Sequence, residues 1–208
     1  MTNYFNYVRE VVFVADSNIT KKALAESLKE IMKSTQFDKI TVAQICDGCD
    51  MNRKSFYYHF KDKYDLVNWI FDTEFIKVAS ERSSKETYEE RIESIRNICN
   101  YFYVNREFYQ KALLIKGQNS FSDHFCEYIQ PLVKNRILFL MEEFVEVDDA
   151  KVDEFTIDFL TDAILCAIER WLLSKECMKA DEFLEKIMGL IKTAIVIMQQ
   201  ELDVENNK

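Results

Sequence analysis

The chain has 208 residues, 48% hydrophobic and 13% aromatic, with only three glycines and one proline. That length buries one good core, or a small domain joined to a larger one, and the scarcity of turn residues excludes a hairpin-rich β-protein. The aromatic content excludes a disordered chain, and a net charge of −9 excludes a surface that is basic all over.

The charge is unevenly divided. Residues 20–63 carry nine lysines and arginines against six carboxylates, a net of +3, whereas 64–208 carry a net of −11. A small basic segment on an acidic body suits a protein that touches phosphate with one end only. Six cysteines stand at 46, 49, 99, 126, 166 and 177. The chain shows no secretory signal: the apolar run at 11–15 is too short and is flanked by Arg9 and Asp16. No uncharged stretch approaches the ~20 residues that span a bilayer. The expected setting is a reducing cytoplasm with free thiols and no membrane.

In chain order, residues 1–19 read as an N-terminal extension. A first helix is expected over 20–34, with Leu24, Leu28, Ile31 and Met32 on one face, Thr20 as N-cap, and Ile19 and Leu24 in staple register. Thr41 and Gln44 then stand as a capping box, with Ile40 and Ile45 as its staple. That helix is cut short by Asp47-Gly48-Cys49-Asp50, and a third begins at once with Asn52 as N-cap. Two short helices four residues apart, preceded by a supporting helix, are the local signature of a helix-turn-helix. Beyond Lys61-Asp62-Lys63 a helix covers Leu66, Ile70, Phe71 and Phe75. Further helices are expected over 86–104, 106–116, 121–144, 153–177 and 180–202. Breaks are expected at Ser83-Ser84, 117–120, 147–151 and Lys179-Ala180, and a kink or unwound turn at Pro131. The fold class is therefore all-α, with a helix-turn-helix domain at 20–66 joined to a helical domain at 67–208.

The third helix carries the candidate chemistry. Winding at about 100° per residue puts Phe56 and Phe60 on one face and Lys54, Ser55 and Tyr58 on the opposite one. Tyr57 and His59 fall on the flanks, and Arg53 in the first turn. Such a face can donate to phosphates and base edges in a major groove, and its tyrosine can pack on a thymine methyl. An ordinary amphipathic surface helix would look similar, so the context decides.

That context is Thr41-Val42-Ala43-Gln44-Ile45, then Met51-Asn52-Arg53-Lys54-Ser55-Phe56-Tyr57-Tyr58-His59-Phe60-Lys61-Asp62-Lys63-Tyr64-Asp65-Leu66. It resembles the DNA-binding domain of the TetR/AcrR family of transcriptional regulators over about 50 residues. One departure is Cys49-Asp50 where the family usually has Ala-Gly at the turn; Asp tolerates the left-handed conformation better than most residues. The resemblance implies that Thr41 and the second helix's start bind a backbone phosphate. It implies that Arg53, Lys54, Ser55 and Tyr58 face bases and nearby phosphates, with Asn52 a cap first and a DNA contact second. Tyr57 and His59 would touch phosphate at the groove walls, and Lys63 would grip another.

The same resemblance implies a regulator without cofactor or catalytic residues, commonly a repressor, controlled by an unknown small-molecule effector. It implies a homodimer through the helices at about 153–177 and 180–202, reading a palindromic double-stranded operator with half-sites about 34 Å apart. Phe159, Ile164, Ile168, Trp171 and Leu172 on one of these helices, and Phe183, Leu184, Ile187, Leu190, Ile191, Ala194 and Met198 on the other, spread apolar surface over more than one face. A partner subunit or the domain's own core would cover it. Trp69, Phe102, Tyr109 and His124 are the candidates for an effector pocket, against a plain-core reading of the same side chains. The 56–66 run with Asn68-Trp69-Ile70, and the break at 117–121, resemble a branch that includes regulators of dihydroxyacetone kinase operons. In that branch a protein co-regulator can replace the small molecule, which leaves a co-regulator-dependent activator or an interaction module as the alternative. Cys46 and Cys49 have zinc-knuckle spacing but lack a second ligand pair, so no metal is expected.

Overall fold

The computed structural model describes residues 2–79, 87–117, 120–144 and 154–206. Among them are nine α-helices and no strand. The expected breaks at Ser83-Ser84 and 147–151, positions 118 and 119 of the third break, and the side chain of Met198 lie outside the described residues.

Helix α1 spans Thr2–Ser34. It corrects the expected start at Thr20, which is an interior position. The physical reason is simple: no glycine or proline occurs before Gly48, so nothing interrupts the backbone ladder between the extension and the predicted helix. A single 3-10 turn at Phe37–Lys39 leads into α2 (Val42–Asp47) and α3 (Arg53–His59). Helix α4 (Lys63–Ala79) runs from this head into the body. The body holds α5 (Tyr88–Val104), α6 (Arg106–Ala112), α7 (Phe121–Phe144), α8 (Glu154–Leu173) and α9 (Ala180–Asn206).

Helix α7 packs along α8, and α5 along α9. One core runs through head and body, from Leu24, Leu28 and Phe56 through Phe71 and Phe75 to Phe102 and Trp171. A smaller cluster of Ile137, Leu140, Met141 and Ile191 closes the far end. None of the described helices is long and apolar enough to cross a membrane.

Two helix ends and one helix interior differ from expectation for physical reasons. Helix α8 stops at Leu173, not 177, because its end is captured from α6. Arg106 donates to the carbonyls of Ser174 and Lys175 at 3.1 Å each, and Gln110 to that of Ser174 at 3.1 Å. The Trp171 indole N–H then holds the Met178 carbonyl at 2.9 Å, folding the chain back. Helix α6 ends at Ala112, not 116, in a turn where the Ile115 N–H bonds the Ala112 carbonyl. Helix α7 continues through Pro131 without the expected unwound turn. Pro131 and Glu127 are both exposed, so the carbonyl that proline leaves unbonded faces water.

Candidate nucleic-acid interface

The head is built on two caps and one turn. The Thr41 hydroxyl accepts from the Gln44 N–H at 3.3 Å, and the Gln44 side chain accepts from the Thr41 N–H at 2.9 Å, closing the capping box that opens α2. The Asn52 side chain accepts from the Ser55 N–H at 2.8 Å and opens α3. Between them Asp50 has φ of +53°, the one positive φ outside glycine among the described residues. Asp thus takes the left-handed place that the turn needs. Gly48 has another reason to be glycine: a Cβ there would collide with the Ser27 Oγ of α1. That hydroxyl donates to the Ile45 carbonyl at 2.7 Å, so α2 lies tight against α1.

The orientation of α3 follows from its phenylalanines. Phe56 and Phe60 are buried among Leu24, Leu28, Ile45 and Leu66. Burying two such rings turns the opposite face outward. There Asn52, Arg53, Lys54, Tyr57 and Tyr58 are exposed, the two tyrosines at 58% and 66%, while Ser55 and His59 are half-buried. Tyr58 lies edge-on to the His59 ring, with centroids 4.9 Å apart. Burial, helped by the charge of Lys21, holds the His59 imidazole below its usual 6.5. An exposed Arg-Lys pair beside two tyrosines, on the face of α3 opposite its buried phenylalanines, can enter a groove.

Lys63 is placed differently from the expectation. Its ammonium donates to the carbonyls of Phe37 and Ile40 at 2.8 Å and of Asp38 at 3.3 Å, and sits 4.5 Å from the Phe37 ring centre. All three protons face carbonyls of the turn between α1 and α2. Burial accordingly lowers its pKa. The residue staples the head's own backbone.

Of the four pocket candidates, Phe102 lines a cavity among the described residues. An apolar cavity of about 100 Å³ lies where α4, α5, α7, α8 and α9 meet, lined by Phe75, Phe102, Trp171 and Phe183 among aliphatic side chains. Trp69 instead packs edge-on to Phe60 at 5.7 Å. Tyr109 is fully buried, its hydroxyl 2.8 Å from that of Tyr101. His124 is 2.8 Å from the Asp72 carboxylate. These three are core or paired side chains because aromatic rings at helical spacing fill interiors wherever facing helices leave room. The signal that could have found the cavity is the spread of aliphatic residues over more than one face of α8 and α9.

The six cysteines are free thiols, and no cluster suited to a metal occurs among the described residues. On the outer side of α8, Phe155 (77% exposed) and Phe159 (62%) stack on each other at 6.4 Å. Leu190, Val196 and Ile197 are exposed on α9. By contrast, Trp171, Leu172, Phe183, Leu184 and Ile191, expected as general apolar surface, are buried within the subunit, Trp171 stacked on Phe183 at 4.3 Å.

Comparison with known proteins agrees with this architecture. Residues 27–70 match the model described as bacterial regulatory proteins, tetR family, and residues 89–193 the model described as transcriptional regulator C-terminal region. The HTH-type dhaKLM operon transcriptional activator DhaS of Lactococcus lactis subsp. lactis (strain IL1403) is 25% identical over 154 residues, 74% of this chain and 79% of that one. Among solved structures, a dihydroxyacetone kinase operon activator DhaS superposes with a TM-score of 0.67 at 22% identity, over 86% of this chain and 97% of the other. A TetR transcriptional regulator from Streptococcus agalactiae 2603V gives 0.62 at 17%, over 88% and 98%. NalD, the secondary repressor of the MexAB-OprM multidrug efflux pump in Pseudomonas aeruginosa, gives 0.59 at 14%, over 86% and 96%. With its head and body both matched, the chain belongs to the TetR family of DNA-binding transcriptional regulators and is not an enzyme.

Proposed function

We propose that the protein is a cytoplasmic homodimeric repressor that binds a palindromic operator through α3 and is released by a small-molecule effector. The observation that carries the reading is the exposed face of α3: Arg53, Lys54, Tyr57 and Tyr58 stand outward on a helix fixed from behind by Phe56 and Phe60. Arg53, Lys54, Ser55 and Tyr58 address base edges and adjoining phosphates, and Asn52, Tyr57 and His59 the backbone at the groove walls. Thr41, exposed at the start of α2, reaches a further phosphate. Lys63 serves the interface indirectly, by holding the turn that carries Thr41.

Residues 20–66 form the reading head and 67–208 the sensing and dimerising body. The exposed apolar residues Phe155 and Phe159 of α8 and Leu190, Val196 and Ile197 of α9 are the surface for a second copy. A monomer with these rings in water would expose a patch that soluble chains rarely leave uncovered. Two heads related by a two-fold axis then require half-sites about 34 Å apart.

The test is selection of bound duplexes from a random pool, with the dimer's mass measured by light scattering. A palindromic consensus and a mass near twice 24.7 kDa are expected. Asymmetric or absent enrichment from a folded protein would sink the reading. A second reading, an activator that acts with a protein co-regulator, is favoured by one observation: the curated relative from Lactococcus lactis is an activator. Transcription from the selected site falls with the protein added alone under the first reading, and under the second rises only when cell extract supplies the co-regulator.

A further inference from the structure

The cations of the head and of the body are used differently. In the body Arg96, Lys134 and Lys186 each pair with a carboxylate, and Lys29 and Lys33 do so along the rear of α1. In the head, among the described residues, Lys21, Lys22, Lys39, Arg53, Lys54 and Lys61 have no carboxylate partner. The acids near the end of α3 serve the backbone instead. Asp62 accepts from the N–H groups of Tyr64 and Asp65 at 2.9 Å each, and Asp65 from that of Lys61 at 2.9 Å.

Lys21 stands apart from the other five, which are exposed, because it is half-buried and held in place. Its ammonium lies 5.9 Å from the centre of the Phe60 ring and 5.9 Å from that of Trp69, two rings that pack edge-on. The His59 ring is 6.5 Å from the same Phe60 ring. Lys21 on α1 and His59 in the last turn of α3 thus flank one aromatic floor. Burial and, after it, the Lys21 charge keep the His59 imidazole below 6.5, so the two groups are within electrostatic reach. Asp47 and Asp50, the exposed acids of α2 and the turn after it, precede the opposite end of α3. Two such groups without a counter-ion oppose each other's charge, and a bridging anion removes that cost. A local conflict of this kind belongs to a binding site. The rings also fix the lysine stem, so its ammonium needs little further ordering to take a ligand.

Building on the regulator reading above, we infer that Lys21 and His59 form a clamp between α1 and the end of α3 that holds one backbone phosphate of the operator. One ammonium and one imidazole N–H, offered from two helices, suit a phosphodiester's two free oxygens. His59 ends the helix whose outward face enters the groove, so a phosphate of the same duplex arrives beside it. Phe60 and Trp69 are positioning residues; they aim the ammonium and touch no DNA.

The test compares Lys21→Met, which keeps the apolar stem, with Lys21→Arg, which keeps the charge. In Lys21→Met duplex affinity should fall by about fivefold at roughly 0.15 M salt, and the slope of log affinity on log salt should flatten by roughly one. Lys21→Gln, a second neutral variant, should match it, and Lys21→Arg should restore both quantities. The selected consensus should stay the same, since a phosphate contact reads no base. Lys116→Met, which removes an exposed cation of the body, should leave the slope unchanged. Replacing single operator phosphates by uncharged methylphosphonates should reveal one position in each half-site that weakens the unsubstituted protein severalfold yet leaves Lys21→Met unaffected. In the free protein, followed by NMR, His59 should titrate at higher pH in Lys21→Met than in the unsubstituted chain.

A full salt slope in Lys21→Met overturns the clamp while leaving the regulator reading in place. An unmoved His59 titration overturns the pairing of the two side chains, and that measurement needs no DNA. A saturable shift of the His59 signal by millimolar inorganic phosphate makes a free anion the ligand and overturns the duplex assignment. If the unsubstituted protein binds no duplex at all, the regulator reading falls and the clamp falls with it.

Discussion

The head and the body use apolar residues in opposite ways. In the head each short helix has its own start signal, and its two key rings, Phe56 and Phe60, are sealed inside. In the body the long helices bury Phe75, Phe102 and Trp171 around a cavity yet leave Phe155, Phe159 and Leu190 in water. A head that must present one fixed surface to DNA benefits from a full core and locked caps. A body that responds and pairs, as proposed above, keeps unfilled space and an exposed apolar face. Local signals build the first; long-range packing builds the second.

The sharpest test of that contrast sets Phe56→Ala against Phe155→Glu with Phe159→Glu. The first removes a fully buried ring and should cost about 3–5 kcal/mol, read by urea unfolding, with loss of duplex binding. The second should leave the subunit's secondary structure intact by circular dichroism and halve the mass in light scattering. Similar unfolding of both variants would erase the distinction.

Next in size is Gly48→Ala, whose new methyl meets the Ser27 hydroxyl; a loss of about 1–3 kcal/mol is expected, part of it recovered when Ser27→Ala is added. Lys63→Met should cost about 1–2 kcal/mol, because three carbonyls lose their donor. Its salt slope for duplex binding should match the unsubstituted protein, whereas Lys54→Ala should flatten the slope by roughly one. A flattened slope in Lys63→Met would return that ammonium to phosphate.

Asp50→Gly should stabilise by about 0.5–1 kcal/mol, since glycine meets a φ of +53° without a side chain to strain. The smallest effect concerns pH. Burial and Lys21 depress His59, so in the free protein it is neutral at pH 7 and gains its proton only below 6.5. A facing phosphate favours the charged form, so binding takes up a proton and affinity should rise as pH falls through that range, by about twofold to fivefold. For stability the sign is opposite: a depressed histidine stabilises the fold above 6.5 and loses that contribution as pH falls. His59→Gln should flatten the affinity profile.

Much of the head was legible in advance because its determinants lie within four residues of one another. Thr41 with Gln44, Asn52 with Ser55, and the turn at Asp50 are contacts between near neighbours, and the sequence displays both partners side by side. The outward face of α3 followed from the three- and four-residue spacing of its phenylalanines. The contacts of Lys63 within the head were not legible because its partners, the carbonyls of residues 37–40, lie more than twenty positions away and carry no side-chain signature. What Trp69, Tyr109 and His124 meet was not legible for the same reason: only the placement of Phe60, Tyr101 and Asp72 shows it.

Sequence alone determined the all-helical class, the order of the helices, the caps and turn of the head, and the side of α3 that faces outward. These depend on backbone propensity and short-range periodicity, which any stretch of chain carries with it. Tertiary structure alone decided where α6 and α8 stop, which apolar residues of α8 and α9 are core and which stay exposed, and where the cavity lies. Those outcomes depend on which helix faces which, and packing between distant segments has no period that a linear reading can count.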